Sequence, residues 1–500
     1  MKRRGQIFAV LMGVLMISGC SSEALQGEQF REERYGGMHQ NMMKGQMNHQ
    51  MQGHMDHDNV TRLEDSTGTN ELLIPPLLER DENGEVTYTV TAQKGETSIF
   101  KDAKTETYGY NGDFLGPVLR LNKGEHVKIR TVNELDEETT FHWHGLEVAG
   151  HADGGPHAPL KPGESKTIEL DVAQEASMLW FHPHPEGKTA EQVYKGLAGL
   201  LYIEDGQSEK LGLPNVYGKN DIPLIFQDRL FDENKQLNYE MLMNEDGTIG
   251  DMSLINGTLN PKLSVRKEKV RLRLLNGSNA RNYTFKLNNG GTFTQIATDG
   301  GLLNEPITLN EISLTPSERA EIIVDFSNVD PSDQLALVNE DGSTLLPFHV
   351  VGDEGEESNI PAQLNDVTLT EEEKNLPVTK EVELFGMMEH VTINGKKFDP
   401  NRIDFTQKQG ETEVWEIYNK PDMMGGMIHP FHIHGTQFKI VSRDGKAPSE
   451  NERGWKDSIS IKPGEKVNIA VQFKHKGVYM FHCHILEHED NGMMGQIKVE

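Results

Sequence analysis

The stretch FHCHILEHEDNGMM, residues 481–494, sets Cys483 between His482 and His484 and follows it with His488, Met493 and Met494. Thiolate, imidazole and thioether are together the soft donor set of copper. Three more histidine motifs lie upstream, HWH (His142, His144), HPH (His182, His184) and HPFHIH (His429, His432, His434), so that ten of the 20 histidines stand in four motifs. In an extended strand, residues i and i+2 face one side about 6.5–7 Å apart, so each His-X-His presents two imidazoles together. Four pairs supply eight ligands. By the same alternation the Cys483 thiolate faces away from His482 and His484, and one strand can serve two separate metal sites. On that far side His429, Cys483 and His488 make a His2Cys set, to which a methionine near position 493 adds the weak axial thioether of a blue copper site. Structural zinc rarely uses such a methionine and would leave the eight histidines unexplained. A catalytic thiol with a histidine base is the other reading of Cys483.

Strands are needed to hold these residues, and from about residue 76 the chain supplies short runs such as VTYTV, EHVKIRTV, KTIELDV and GLLYIED between Gly, Pro, Asn and Asp. No long amphipathic helix is evident, so the pattern predicts an all-β chain of sandwiches. An internal repeat organises it. GEHVKIRTVNEL, FHWHGLEV, KPGESKTIELDV and LWFHPHPEG, between 124 and 187, return as GETEVWEIYNK, PFHIHGTQF, KPGEKVNIAVQF and VYMFHCHILEH, between 410 and 488. A middle copy, with EKVRLRLLNGSNARNYTF and TPSERAEIIVDF, has no histidine at the matching places. The histidines are therefore not a requirement of the scaffold; the first and third copies have added a function to it.

With 500 residues, the chain is long enough for two or three domains. Its formal charge of -29 disfavours nucleic acid or anionic lipid as partners and favours cations. Residues 1–19 read as a signal peptide, with Lys2, Arg3 and Arg4 before IFAVLMGVLMI, and ISGC looks like a bacterial lipobox, which implies a lipid on Cys20 and an extracytoplasmic, membrane-anchored protein. Residues 20–75 read as a disordered tether. Within it MHQNMMKGQMNHQMQGHMDHD, residues 38–58, holds six methionines and four histidines, a tract suited to loose capture of copper(I) or silver(I).

The motifs HWHGLEV, DGGP, WFHPHPEGKTAEQVYKGLAGL, LLNGSNAR, DGGLL, HPFHIHGTQF, GWKD and HCHILEHEDNGMM resemble those of the multicopper oxidases, closest to bacterial cuprous oxidases of copper resistance and next to spore-coat laccases. The likeness covers nearly all of residues 76–500. It implies three consecutive cupredoxin-like Greek-key β-sandwich domains: 76–206, 207–360 without copper ligands, and 361–500 with type 1 copper. It implies four copper ions. His142 and His432 would hold type 2 copper, and His144, His182, His184, His434, His482 and His484 the type 3 pair. His429, Cys483, His488 and Met493 would hold type 1 copper, with Met493 preferred to Met494 on spacing. Asp153 and Glu489 match the family's proton-delivering acids. The implied reaction takes single electrons from a donor at type 1 copper, passes them through Cys483 to the trinuclear cluster between domains 1 and 3, and reduces dioxygen to water.

The donor is a separate question. DMMGGMIHP places Asp422, Met423, Met424 and Met427 just before His429, a carboxylate and thioethers able to take copper(I), with Asp422, Met424 and Met427 the substrate candidates. The long methionine-rich insert of related cuprous oxidases is absent, since residues 353–390 hold only Met387 and Met388. The tract at 38–58 is then expected to act instead as a tethered antenna that raises the effective copper(I) concentration. The expected function is cuprous oxidation for copper tolerance by a monomer, with laccase-type oxidation of phenols or a non-catalytic copper-storing lipoprotein as alternatives.

Overall fold

Period-2 patterning builds every layer of the molecule. In the strand His126–Asn133, Val127, Ile129, Thr131 and Asn133 point inward and the residues between them outward. In the computed structural model residues 61–500 are described, apart from 83, 85, 241–245, 356, 357 and 424. The leader, Cys20, the tract at 38–58 and Met424 lie outside the described residues.

Three sandwiches follow in order. The first faces a sheet ordered Thr105–Tyr110, Tyr88–Thr97, His126–Asn133, Ser165–Asp171 with one ordered Val118–Asn122, Gly199–Glu204, Ser177–His182, His142–His144. Val90, Val127, Ile129, Trp143, Leu179, Phe181 and Leu201 fill the space between. In the third, five strands that include Val378–Phe385, Thr412–Lys420 and Lys466–Gln472 face five that include Met494–Val499, Gly477–Cys483, His429–Ile433 and Ser458–Ile461. Its core holds Trp415, Phe431, Ile469, Phe481, Cys483 and Met493. The middle sandwich is larger, with sheets of six and seven strands around Ile222, Leu224, Phe226, Leu272, Phe285 and Ile322. Described helices are short, none long and apolar enough to cross a membrane. The chain is therefore all-β with three cupredoxin-like domains. The first and third meet directly, as where Asp490 accepts from the Thr189 and Ala190 amides at 3.0 and 2.9 Å.

One boundary is corrected. Residues 61–75, expected within the tether, belong to the middle sandwich. Leu63 and Leu72 sit in its core at 1% and 8% exposure. Asn70–Glu71 pairs in parallel with Pro261–Lys267, and the Ser66 amide donates to the Thr344 carbonyl at 2.8 Å. The physical cause is an edge strand whose unpaired backbone groups are satisfied by this segment. Two leucines anchor it in a polar context, too sparse a pattern to read as structure.

Leu63→Ala is expected to cost about 2–5 kcal/mol of stability, as for other buried leucines, and a chain starting at residue 76 should melt below one starting at 61. Equal thermal denaturation of the three chains would contradict this assignment.

Candidate metal centre

Cross-strand register gathers the histidines. In the first sandwich His142 pairs with His182, Trp143 with Phe181 and His144 with Trp180. Trp143 and Phe181 enter the core, so the histidines face the third domain. There His432 pairs with His482 and Phe431 with Cys483. His432 and His482 thus share one face of the sheet, while Phe431 and Cys483 share the other.

The eight imidazoles His142, His144, His182, His184, His432, His434, His482 and His484 are all buried and lie against one another. His142 stacks on His434 and His144 on His432, each with ring centroids 3.7 Å apart. The Nε2 atoms of His184 and His434 lie 3.4 and 3.0 Å from His482 Nε2, and His144 Nδ1 lies 3.4 Å from His182 Nε2. Main-chain carbonyls fix several rings by accepting from Nδ1: Asp153 for His142 (3.1 Å), Pro183 for His182 (2.9 Å), Asp457 for His432 (2.7 Å) and Cys483 for His482 (2.9 Å). A proton held on Nδ1 leaves the Nε2 lone pair free for a metal. His142 Nε2, His432 Nε2 and both nitrogens of His484 are buried without a hydrogen-bond partner. Such orphaned groups are costly unless something binds them.

Burial first, and the crowding of neighbouring imidazoles second, holds His144, His184, His432, His434 and His484 well below the usual histidine range. Burial brings His482 down to about 3. The rings are neutral at physiological pH, the state in which imidazole binds a metal.

The two acids expected from the sequence, Asp153 and Glu489, both touch the cluster. Asp153 Oδ2 lies 2.8 Å from His434 Nδ1 and 3.6 Å from His142 Nδ1. The glycine after it, Gly154, has φ +80° and lies so close to the Phe141 carbonyl that no Cβ fits, which is why DGGP can bring the acid under His142. Glu489 lies on another side, its carboxylate 3.2 Å from both His184 Nδ1 and His482 Nδ1. Burial, aided by Asp490, pushes Glu489 well above the carboxylate range. A cavity of about 190 Å³ lined by His184, Thr189, Phe398, Glu489, Asp490 and Met494 abuts this side.

Behind the sheet, Cys483 Sγ is fully buried, 3.8 Å from His488 Nδ1, and accepts from the Ile485 amide at 3.5 Å. The rings of His429 and His488 have centroids 5.4 Å apart, and both His429 nitrogens and His488 Nε2 lack partners. Met494 stands opposite His482 in the ladder, so Met493 faces the Cys483 side, where it is buried in the same core. Burial lowers His429 to about 4 and raises the Cys483 thiol, so a metal must displace the thiol proton to bind there. Of the substrate candidates, Asp422 is half-buried and acts on His429 through its charge, and Met427 is half-buried against the third core. Met423 is fully exposed.

Two residues near the cluster were not singled out from the sequence. Asp457, in the GWKD motif, has Oδ1 3.0 Å from His144 Nε2, and Arg319 of the middle domain binds that carboxylate through both terminal nitrogens at 2.6 Å. The motif was a signal for Asp457; nothing in the sequence joined it to an arginine 138 residues away.

A field of neutral, buried imidazoles beside a separate His2Cys set, mounted on cupredoxin-like sandwiches, defines a copper oxidoreductase. Residues 90–208, 220–349 and 369–500 each match a family model described as multicopper oxidase. A multicopper oxidase of Staphylococcus haemolyticus is 54% identical over 445 residues, 89% of this chain and 95% of the relative. The crystal structure of a laccase from Pediococcus acidilactici aligns with TM-score 0.83 at 44% identity, covering 88% of this chain and 96% of that one. The cell division protein FtsP of Escherichia coli is 33% identical over 450 residues, 86% of this chain and 92% of the relative. The chain belongs to the multicopper oxidases, enzymes that use oxygen as acceptor and four copper ions, one type 1, one type 2 and two type 3. The unpartnered, neutral imidazoles and the buried thiol fit that set of metals.

The depressed histidines set a pH dependence for the metal-free protein. Below about pH 6.5 the unfolded chain protonates these depressed imidazoles while the folded chain does not. Their contribution is therefore fully present above about pH 6.5 and is lost as pH falls toward the His429 value of about 4. The denaturation temperature of metal-free protein should fall through this window; a flat profile there would contradict the burial of neutral rings.

Proposed function

We propose that this chain is an extracytoplasmic, lipid-anchored cuprous oxidase that acts as a monomer in copper tolerance. The observation that carries the reading lies just before His429: Asp422 acts on that ring through its charge, Met427 is half-buried against the third core and Met423 is exposed. Soft thioethers with one carboxylate suit copper(I). Met424, on the same loop, is included in the proposed substrate set on its sequence position.

Bound copper supplies one-electron uptake at His429, Cys483, His488 and Met493, and four-electron reduction of dioxygen to water at the eight-histidine set. The protein's own part is positioning. Cys483 lies between His482 and His484 in the chain, so a covalent path of one residue joins the two donor sets. Glu489, whose carboxyl burial pushes well above the carboxylate range, is the group placed to hold and deliver a proton beside His184 and His482. Asp153 orients His434 and lies near His142. The cavity lined by His184 and Glu489 lies against that side. The leader and Cys20 support anchoring outside the cytoplasm, where the burial of Cys483 shields the lone thiol.

Oxidation of phenols is the second reading, favoured by the absence of a long methionine-rich insert over the type 1 face and by the likeness to a laccase. A copper-storing protein, or a structural role of the kind the cell division relative's name suggests, would not require both donor sets to be complete.

Steady-state oxygen uptake with copper(I), iron(II) and a phenol separates these readings. Asp422→Asn combined with Met427→Leu should raise the KM for copper(I) about tenfold or more with phenol oxidation unchanged. Deleting residues 38–58 should slow cuprous oxidation at limiting copper only. Unchanged copper(I) kinetics in the loop variant would refute the cuprous reading, an unchanged rate in the deletion the antenna, and no oxygen uptake with any donor the oxidase reading itself.

A further inference from the structure

His144 is turned opposite to its neighbours. Where His142, His182, His432 and His482 donate from Nδ1 to main-chain carbonyls, His144 has its Nε2 tied outward, 3.0 Å from Asp457 Oδ1 and 3.2 Å from Ser458 Oγ, and its Nδ1 turned to His182. Asp457 therefore controls a ring of the first domain through its side chain and a ring of the third, His432, through its carbonyl.

That carboxylate is itself a hazard. Asp457 with His144 and His432 places three donor atoms close enough to hold a metal ion in the wrong place. Arg319 removes the opportunity. It enters from the strand Arg319–Asp325 of the middle domain, and its Nη1 and Nη2 each lie 2.6 Å from one Asp457 oxygen. A bidentate guanidinium takes one lone pair on each oxygen and repels a second cation. The same side chain donates to Met178 O of the first domain at 3.2 Å and to Asp299 O of the middle one at 3.1 Å, so one guanidinium touches all three domains. Ser317, two residues before it, contacts Ser458 Oγ at 2.8 Å, the hydroxyl beside His144 and His432. A separate observation agrees. Gly145, directly after His144, has φ +84°, and a Cβ there would collide with Asp457 Oδ2 and Arg319 Nη2. The turn of HWHG is cut away for this ion pair.

We infer that Arg319 is a positioning residue of the trinuclear site: by claiming both oxygens of Asp457 it fixes His144 with Nδ1 inward and denies the carboxylate to metal. The middle domain, which has no histidine at the matching places, is thus part of the metal centre. The inference rests on the oxidase reading, and the blue type 1 colour measured in the same samples separates the failure of one from the failure of the other.

The test compares wild type, Arg319→Lys, Arg319→Met, Asp457→Asn and the Arg319→Met/Asp457→Asn double variant, each loaded with copper. Copper per chain, the type 2 EPR signal, retention against a chelator and the thermal denaturation temperature are read together. Arg319→Met should keep the type 1 colour yet hold trinuclear copper about 10–100-fold more weakly and change the type 2 signal. The lysine variant should recover part of the loss, and the double variant should lack any signal from a carboxylate-bound copper. If Arg319→Met keeps four coppers and the wild-type signal, even with a lowered denaturation temperature, Arg319 is a structural staple and the inference falls. Should Arg319→Met not accumulate as blue protein, the near-isosteric Asp457→Asn decides: a changed type 2 signal with intact colour supports the inference, and an unchanged one overturns it.

Discussion

Alternation along a single strand is the constraint on which the rest depends. The strand Gly477–Cys483 and the residue after it send His482 and His484 to one face and Cys483 to the other, so two metal sites are built back to back with one residue between them. A one-residue slip in register would exchange the faces and dismantle both sites together. The flanking ladders prevent it: Phe431 is held opposite Cys483, and Met494 opposite His482. The apolar core around Phe431, Phe481 and Met493 therefore does more than stabilise the third domain, because it determines which donors meet.

Burial performs the second task. Water-free surroundings hold His432 and its neighbours below the usual histidine range and leave the Nε2 atoms of His142, His432 and His484 without partners. A protein site that pays this desolvation without a ligand is poorly satisfied; one that receives metal ions is complete. The same burial pushes the Glu489 carboxyl well above the carboxylate range beside His184 and His482. The buried charges of Arg319 and Asp457 are paired with each other.

Much of this could be read from residue order alone. The four histidine motifs, the opposite facing of Cys483 and the sandwich architecture follow from period-2 spacing and turn residues, and strand parity explains why Met493 rather than Met494 faces Cys483. Other parts were hidden for physical reasons. Residues 61–75 bury only two of their three leucines, Leu63 and Leu72, and find their order on the edge of a sheet formed nearly 200 positions later. Arg319 lies in TPSERAEIIVDF, the middle copy whose missing histidines made it look like bare scaffold. Its role depends on a contact between domains, which no local pattern announces.

Replacing Cys483 with serine and counting the copper retained tests the back-to-back arrangement most directly. The expected result is a colourless protein that loses only the type 1 ion of the four, keeps the type 2 EPR signal and takes up no oxygen with any donor. Loss of the whole cluster in a folded variant, or continued donor-dependent oxygen uptake, would contradict it.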